Sequence, residues 1–231
     1  MTRLLIVDDQ VLIRAGIAAL AAAAPGFEVA GQAATGEEAV ELAASLRPDL
    51  ILMDIRMPGM SGITALEYIL DRASEPKPKI VILTVFDLDE YVYAALRAGA
   101  SGFLLKDTPP ERLLAALALI AEGEMLFAPT VTRRLVENFA PHPDSGSGGR
   151  PDCLSELTDR ETEVLRLVGQ GLANDQIAKR LSVTIATVKT HFNRVMAKLS
   201  LQSRAQAVVV AYESGLVFPG GPGAQPPRTG A

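Results

Sequence analysis

Aspartates 8, 9 and 54, Thr84 and Lys106 are the residues whose types could act together as chemistry, because each closes or follows a short apolar run: LLIVDD, LILMD, VILT and GFLLK. Three carboxylates with no histidine or cysteine beside them make a hard, oxygen-rich site of the kind that suits Mg²⁺, which binds through one or two carboxylates and keeps waters and phosphate oxygens. A hydroxyl and an ammonium added to that set point to phosphate chemistry rather than metal storage. An aspartate can attack a phosphoryl group directly, and phosphoryl transfer needs little beyond in-line positioning and neutralised equatorial oxygens. Mg²⁺, Thr84 and Lys106 supply that neutralisation. A plainer role, acids as helix caps at strand ends, could account for Asp8 alone but not for three acids, a hydroxyl and an ammonium at the ends of four strands.

Side chains so far apart in sequence meet only if the intervening chain brings strand ends together. Five apolar runs read as strands, Leu4–Val7, Glu28–Ala33, Leu50–Asp54, Ile80–Thr84 and Gly102–Leu105. They alternate with helix patterns at Val11–Ala23, Gly36–Leu46, Gly62–Ala73, Asp89–Ala98 and Pro109–Ala121. That alternation is the signature of a parallel sheet covered on both faces, whose ligand crevice lies at the C-terminal ends of the strands. Thr35 with Glu38 fits a capping box, and Thr108, Pro109 and Glu111 combine an N-cap, a first-turn proline and an N3 acid. The expected fold class is α/β followed by all-α.

The second half carries a different signal. Residues 1–150 hold 13 Lys/Arg against 20 Asp/Glu, while Gln176 to Tyr212 hold six Lys/Arg and no acid. A polyanion partner suits that stretch and not the rest. It lies in a helical region, Leu157–Leu216, interrupted at Gly171, Ser182-Val183 and Ser200, which reads as about four helices. Thr158 and Glu161 have capping-box spacing, with Val164, Leu165 and Val168 on one face. Asp175–Leu181 and Thr184–Leu199, joined by the Ser182-Val183 turn, form a helix-turn-helix pair whose second helix enters the DNA major groove. That helix has no acid and carries Lys189, His191, Arg194 and Lys198. Val188, Phe192, Val195 and Leu199 form its core stripe.

Composition bounds the rest. The chain has 231 residues, 48% hydrophobic and 21% charged, which is globular and excludes fibrous or fully disordered classes. No run of about 18 apolar residues could span a bilayer, and MTRLLIVDD meets two acids before a signal-peptide core develops, so the expected location is the cytoplasm without membrane contact. The single cysteine, Cys153, allows no internal disulfide or thiolate cluster. Residues 140–151, APHPDSGSGGRP, read as a surface linker, and the Pro/Gly-rich end as a disordered tail.

The segments LLIVDDQ, LILMDIRMPGMSG, VILT and GFLLKD resemble, in order, the receiver domain of bacterial two-component response regulators. The segment LTDRETEVLRLVGQGLANDQIAKRLSVTIATVKTHFNRVMAKLSLQSRAQAVVVAYESGL resembles, over about 60 residues, the LuxR-type output domain of the NarL/FixJ family. The resemblance implies a flavodoxin-like receiver over 1–125, a linker with a possible helical start over 126–153, a four-helix DNA-binding domain over 154–217 and a tail over 218–231. It implies Asp54 as phospho-acceptor, with Asp8, Asp9, Asp54 and the carbonyl of Arg56 around Mg²⁺. Thr84 is then the switch hydroxyl, Lys106 the phosphoryl-binding cation, and Phe103 the aromatic that follows Thr84. Lys189, Thr190 and Asn193 are implied to face base edges, and Lys179, Thr187 and Arg194 to lie near phosphates. The implied partners are a sensor histidine kinase, promoter DNA and, after phosphorylation, a second copy of the chain. Three residues depart from the family pattern: Asp175 stands at a commonly basic or small position, Ile185 replaces a common Glu, and Ser200 replaces a glycine. Lys106 is followed by Asp107 rather than proline, so no cis peptide is implied there. A Mg²⁺-dependent phosphatase could use the same acids, but it would need a substrate cap and would leave the basic helix unexplained.

Overall fold

The computed structural model describes residues 1–85, 89–122 and 154–217. The linker segment 140–151, Cys153 and the 218–231 tail lie outside these residues. Five strands, β1 (Thr2–Val7), β2 (Phe27–Ala33), β3 (Leu50–Asp54), β4 (Lys79–Thr84) and β5 (Gly102–Leu105), alternate with α1 (Val11–Ala23), α2 (Gly36–Leu46), α3 (Gly62–Arg72), α4 (Asp89–Arg97) and α5 (Pro110–Ala121). Every ladder is parallel and the strand order is β2-β1-β3-β4-β5. This is the flavodoxin-like, doubly wound arrangement, in which the order reverses between β1 and β3 and opens a crevice at their C-terminal ends.

Strand alternation divides the core into two faces. Leu4, Ile6, Leu50, Leu52, Val81, Leu83 and Leu104 pack with Ile17 and Ala21 of α1 and Leu113, Leu117 and Ile120 of α5. The residues between them, including Leu5, Ile51, Met53, Ile80, Ile82 and Phe103, are also fully buried. Burial on both faces explains why β1, β3, β4 and β5 read as apolar runs rather than as alternating ones, whereas the edge strand β2, FEVAGQA, is buried only at its two ends.

Two helix starts refine the sequence expectation. At α2, Thr35 Oγ1 accepts from Glu38 N at 3.2 Å, while Glu38 Oε2 reaches past the cap to accept from Ala34 N at 2.7 Å. At α5 the start is one residue later than expected. Pro109, in extended conformation, is the N-cap and Pro110 opens the helix. The Thr108 amide instead donates to Leu105 O at 3.0 Å, closing the turn after β5, so Thr108 is not the cap. A second proline satisfies the first-turn preference equally well, because its missing N–H would have no helical partner.

The helical region that follows contains α6 (Asp159–Gly169), α7 (Asn174–Leu181), α8 (Ile185–Lys198) and α9 (Arg204–Glu213). The expected capping box is formed at α6: Glu161 N donates to Thr158 Oγ1 at 3.3 Å and Thr158 N to Glu161 Oε2 at 2.9 Å. Val164, Leu165 and Val168 are buried, as their spacing requires. Between α7 and α8, Ser182 takes a left-handed conformation (φ 54°) and Val183 N returns to Ala178 O at 3.0 Å, giving the tight turn of a helix-turn-helix pair. No helix among the described residues is long and apolar enough to cross a membrane.

Candidate functional site

Asp8, Asp54 and Lys106 each lie two residues beyond a core residue of the α1/α5 face, namely Ile6, Leu52 and Leu104. Strand periodicity therefore sends all three side chains to one side of the sheet at its C-terminal edge. Lys106 Nζ donates to Asp54 Oδ2 at 2.8 Å and lies 2.6 Å from Asp8 Oδ2. The second contact is a close ion pair, and Asp8 Oδ2 is a buried carboxylate oxygen with no further hydrogen-bond partner among the described residues. Its other oxygen accepts from Gln10 N at 2.8 Å. All three side chains are nearly inaccessible, with relative exposures of 4% for Lys106, 1% for Asp8 and 6% for Asp54.

Burial sets the charge state of this cluster. It pushes the Asp54 carboxyl above its ordinary value, with the Asp8 charge adding to the effect and Lys106 opposing it. Burial also works against the Lys106 ammonium, but its bonds and charge contacts with Asp54 and Asp8 outweigh that and hold it above its ordinary value. One cation thus serves two buried carboxylates, with exposed Asp9 beside them; ligand oxygens of Asp8, Asp9 and Asp54 lie within 4.8 Å of one another. An all-oxygen set with excess negative charge and a buried oxygen with no further hydrogen-bond partner fits a hard divalent cation.

Thr84 is 3% exposed and its carbonyl accepts from Lys106 N at 2.8 Å, so the ends of β4 and β5 are joined at this edge. Ile82 pairs with Phe103 across the β4–β5 ladder, and Thr84 lies two residues further on. Thr84 and the fully buried Phe103 therefore share a face of the sheet, opposite the α1/α5 side. Arg56 lies in the β3–α3 loop, where its guanidinium stacks 5.4 Å from the centroid of the Tyr91 ring in α4. Among the described residues the one cis peptide is Glu75–Pro76, so Lys106–Asp107 is trans.

Three supporting residues escaped the sequence reading. Arg14 donates to the Asp8 carbonyl at 2.6 Å and holds the β1–α1 turn. Glu37 accepts from Met60 N at 2.9 Å and ties the β3–α3 loop to the start of α2. Gly62 opens α3 so close to β3 that a Cβ would collide with the Asp54 carbonyl. Arg14 falls one turn into α1 and Glu37 in the first turn of α2, both at the edge where the acids were expected. That position was the available signal for each.

On the helical unit, α8 packs against α6 and α7. Val188 and Val195 are buried and Phe192 and Leu199 half-buried, which bears out the core stripe. Lys189, Thr190, Asn193 and Arg194 are exposed together, whereas Thr187 is half-buried and shares a 2.9 Å hydrogen bond with the Thr184 hydroxyl. Lys179 is exposed and lies 3.6 Å from Asp175. Lys198 differs from expectation: it donates to Glu161 Oε2 at 2.7 Å and to Glu156 O at 3.0 Å, and so is drawn out of the cationic stripe. A lysine at a helix end four residues beyond Arg194 has rotated toward α6, where a buried carboxylate needs it. Nδ1 of the half-buried His191 is enclosed with no hydrogen-bond partner.

Comparison with known proteins agrees with both halves. Residues 4–118 match the response regulator receiver domain family, and residues 155–211 match the luxR family of bacterial regulatory proteins. The chain is 41% identical over 216 residues to the uncharacterized transcriptional regulatory protein YxjL of Bacillus subtilis, covering 93% of this chain and 97% of YxjL. It is 39% identical over 210 residues to the nitrate/nitrite response regulator protein NarL of Escherichia coli, covering 91% and 94%. Among solved structures, the response regulator RcsB of Salmonella typhimurium is similar at 25% identity and TM-score 0.55, over 90% of this chain and 98% of RcsB. An RcsB–DNA complex is similar at 25% identity and TM-score 0.53, over 92% and 98%. With an acidic pocket among its first 106 residues and a helix-turn-helix pair in its second half, the chain belongs to the NarL/FixJ family of two-component response regulators, with an N-terminal receiver and a C-terminal LuxR-type DNA-binding domain.

Proposed function

We propose that Asp54 accepts a phosphoryl group from the phosphohistidine of a sensor kinase, and that this modification controls binding of the helical domain to promoter DNA in the cytoplasm. The observation that carries the reading is the single Lys106 ammonium shared between buried Asp8 and Asp54 at the crevice between β1 and β3. A carboxylate oxygen of Asp54 attacks phosphorus in line. The phosphorus–nitrogen bond breaks and its electron pair returns to the kinase imidazole. Asp8, Asp9, Asp54 and the Arg56 carbonyl would hold Mg²⁺, which supplies neutralisation of the phosphoryl oxygens. Lys106 pairs with one of those oxygens and the Thr84 hydroxyl donates to another. The pocket thereby assists its own phosphorylation and, with water as the nucleophile, its own dephosphorylation. Burial of Phe103 on the Thr84 face supports a switch in which the aromatic follows the threonine.

For output, Lys189, Thr190 and Asn193 read base edges while Lys179, Thr187 and Arg194 meet phosphates. The shared exposure of Lys189, Thr190, Asn193 and Arg194 on an acid-free helix supports this division. Phosphorylation favours a homodimer that reads two half-sites about one helical turn apart. Residues 1–125 are assigned to the receiver, 126–153 to the linker, 154–217 to the DNA-binding domain and 218–231 to a tail. Intact mass after incubation with acetyl phosphate tests the chemistry. The expected result is one phosphoryl adduct that does not form when Mg²⁺ is chelated beforehand and is absent in Asp54→Asn. An adduct that persists in Asp54→Asn, or none with acetyl phosphate and a panel of kinases, refutes the phosphoacceptor assignment.

A further inference from the structure

The outward face of α8 is formed by Ile185, Ala186, Lys189, Thr190, Asn193 and Arg194, opposite the buried Val188 and Val195. Ile185 is 46% exposed, and among the described residues of the helical unit it is the one large hydrophobic side chain so placed. A lone exposed apolar residue needs no explanation on an ordinary surface. This one opens the helix directly after the Thr184 cap, whose Oγ1 accepts from Thr187 N at 3.1 Å, and lies one turn before Lys189 and two before Asn193 on the same ridge. The Thr190 hydroxyl donates to Ala186 O at 2.9 Å, so its proton is committed within the helix. The N-terminal half of the face therefore offers methyl groups around a single ammonium and no carboxylate.

Apolar side chains have one partner in the major groove, the 5-methyl group of thymine. We propose that Ile185 is a specificity-determining residue that packs against a thymine methyl, about two base pairs from the base that Lys189 reads, since four helical residues rise about 6 Å against about 3.4 Å per base pair. The inference rests on the DNA-binding reading above. It further implies that a carboxylate placed at position 185 would move preference at that base pair from thymine toward cytosine, whose amino group a carboxylate accepts from.

The test uses the phosphorylated full-length chain. Sites are selected from a random duplex library, and affinity is then measured on the selected site with each thymine replaced in turn by deoxyuridine, which lacks only the methyl group. One position should lose about fourfold in affinity with the parent chain, the effect of removing one buried methyl. That loss should vanish in Ile185→Ala, and selection with Ile185→Glu should shift the position toward cytosine. Uracil scans with no sensitive position, or equal losses for parent and Ile185→Ala, overturn the inference while leaving sequence-specific binding intact. Failure to select any sequence overturns this inference together with the DNA-binding reading.

Discussion

Removing the charge of Glu161 should loosen the recognition helix in a pH-dependent way. Glu161 is 2% exposed, yet its carboxyl is held down to about 2 from an ordinary 4.5, first by the hydrogen bond from Lys198 and then by that from the Thr158 amide. A folded-state value below the unfolded one stabilises the fold above about pH 5, and that contribution disappears as pH falls from about 5 toward 2. The full difference corresponds to about 3 kcal/mol at most. Lys198 is 34% exposed, so water screens the pair, and part of the effect belongs to the capping box rather than to the lysine. A contribution of about 1–2 kcal/mol from Lys198 is therefore expected. Glu161→Gln keeps both capping-box hydrogen bonds and removes only the charge. Lys198→Met removes the partner, and the double variant should be little worse than either single one. Hydrogen exchange of α6 and α8 amides in the full-length chain, compared at pH 6 and pH 3, separates these contributions. The parent should lose protection relative to Glu161→Gln on acidification. Equal pH sensitivity in the two proteins, or additive losses in the double variant, would refute the argument.

Two further outcomes follow from local geometry. Ser200 has φ 54° where L-residues are strained, so Ser200→Gly should stabilise the helical domain by about 0.5–1 kcal/mol in urea unfolding; an unchanged or lower midpoint would show that the strain is relieved elsewhere. Asp175 lies 3.6 Å from Lys179, so Asp175→Asn should leave stability nearly unchanged while freeing that cation. DNA affinity should then fall more steeply with salt, by up to about one in the log–log slope, and an unaltered slope would remove Lys179 from the phosphate contacts.

The sequence made the pocket legible because the groups that form it obey two short-range rules. Each acid or base ends an apolar strand, and parallel strands separated by helices must deliver those ends to one edge. Ile6 and Asp8, Leu52 and Asp54, and Leu104 and Lys106 show the second rule: a spacing of two puts core residue and functional residue on the same side. What stayed hidden depends on distances that no periodicity encodes. The Glu37–Met60 bond joins residues 23 apart through a loop, and the choice between Thr108 and Pro109 as cap turned on which carbonyl the Thr108 amide could reach. Lys198 is the clearest case. By helical spacing it continues the cationic stripe begun at Lys189, and only the position of α6 reveals a buried carboxylate within reach. A charge pattern on one helix gives the surface it can offer, whereas the neighbouring helix decides which of those charges remain for DNA. The cationic surface that α8 can offer is therefore smaller than its lysine and arginine count, because Lys198 is held by Glu161 and Glu156.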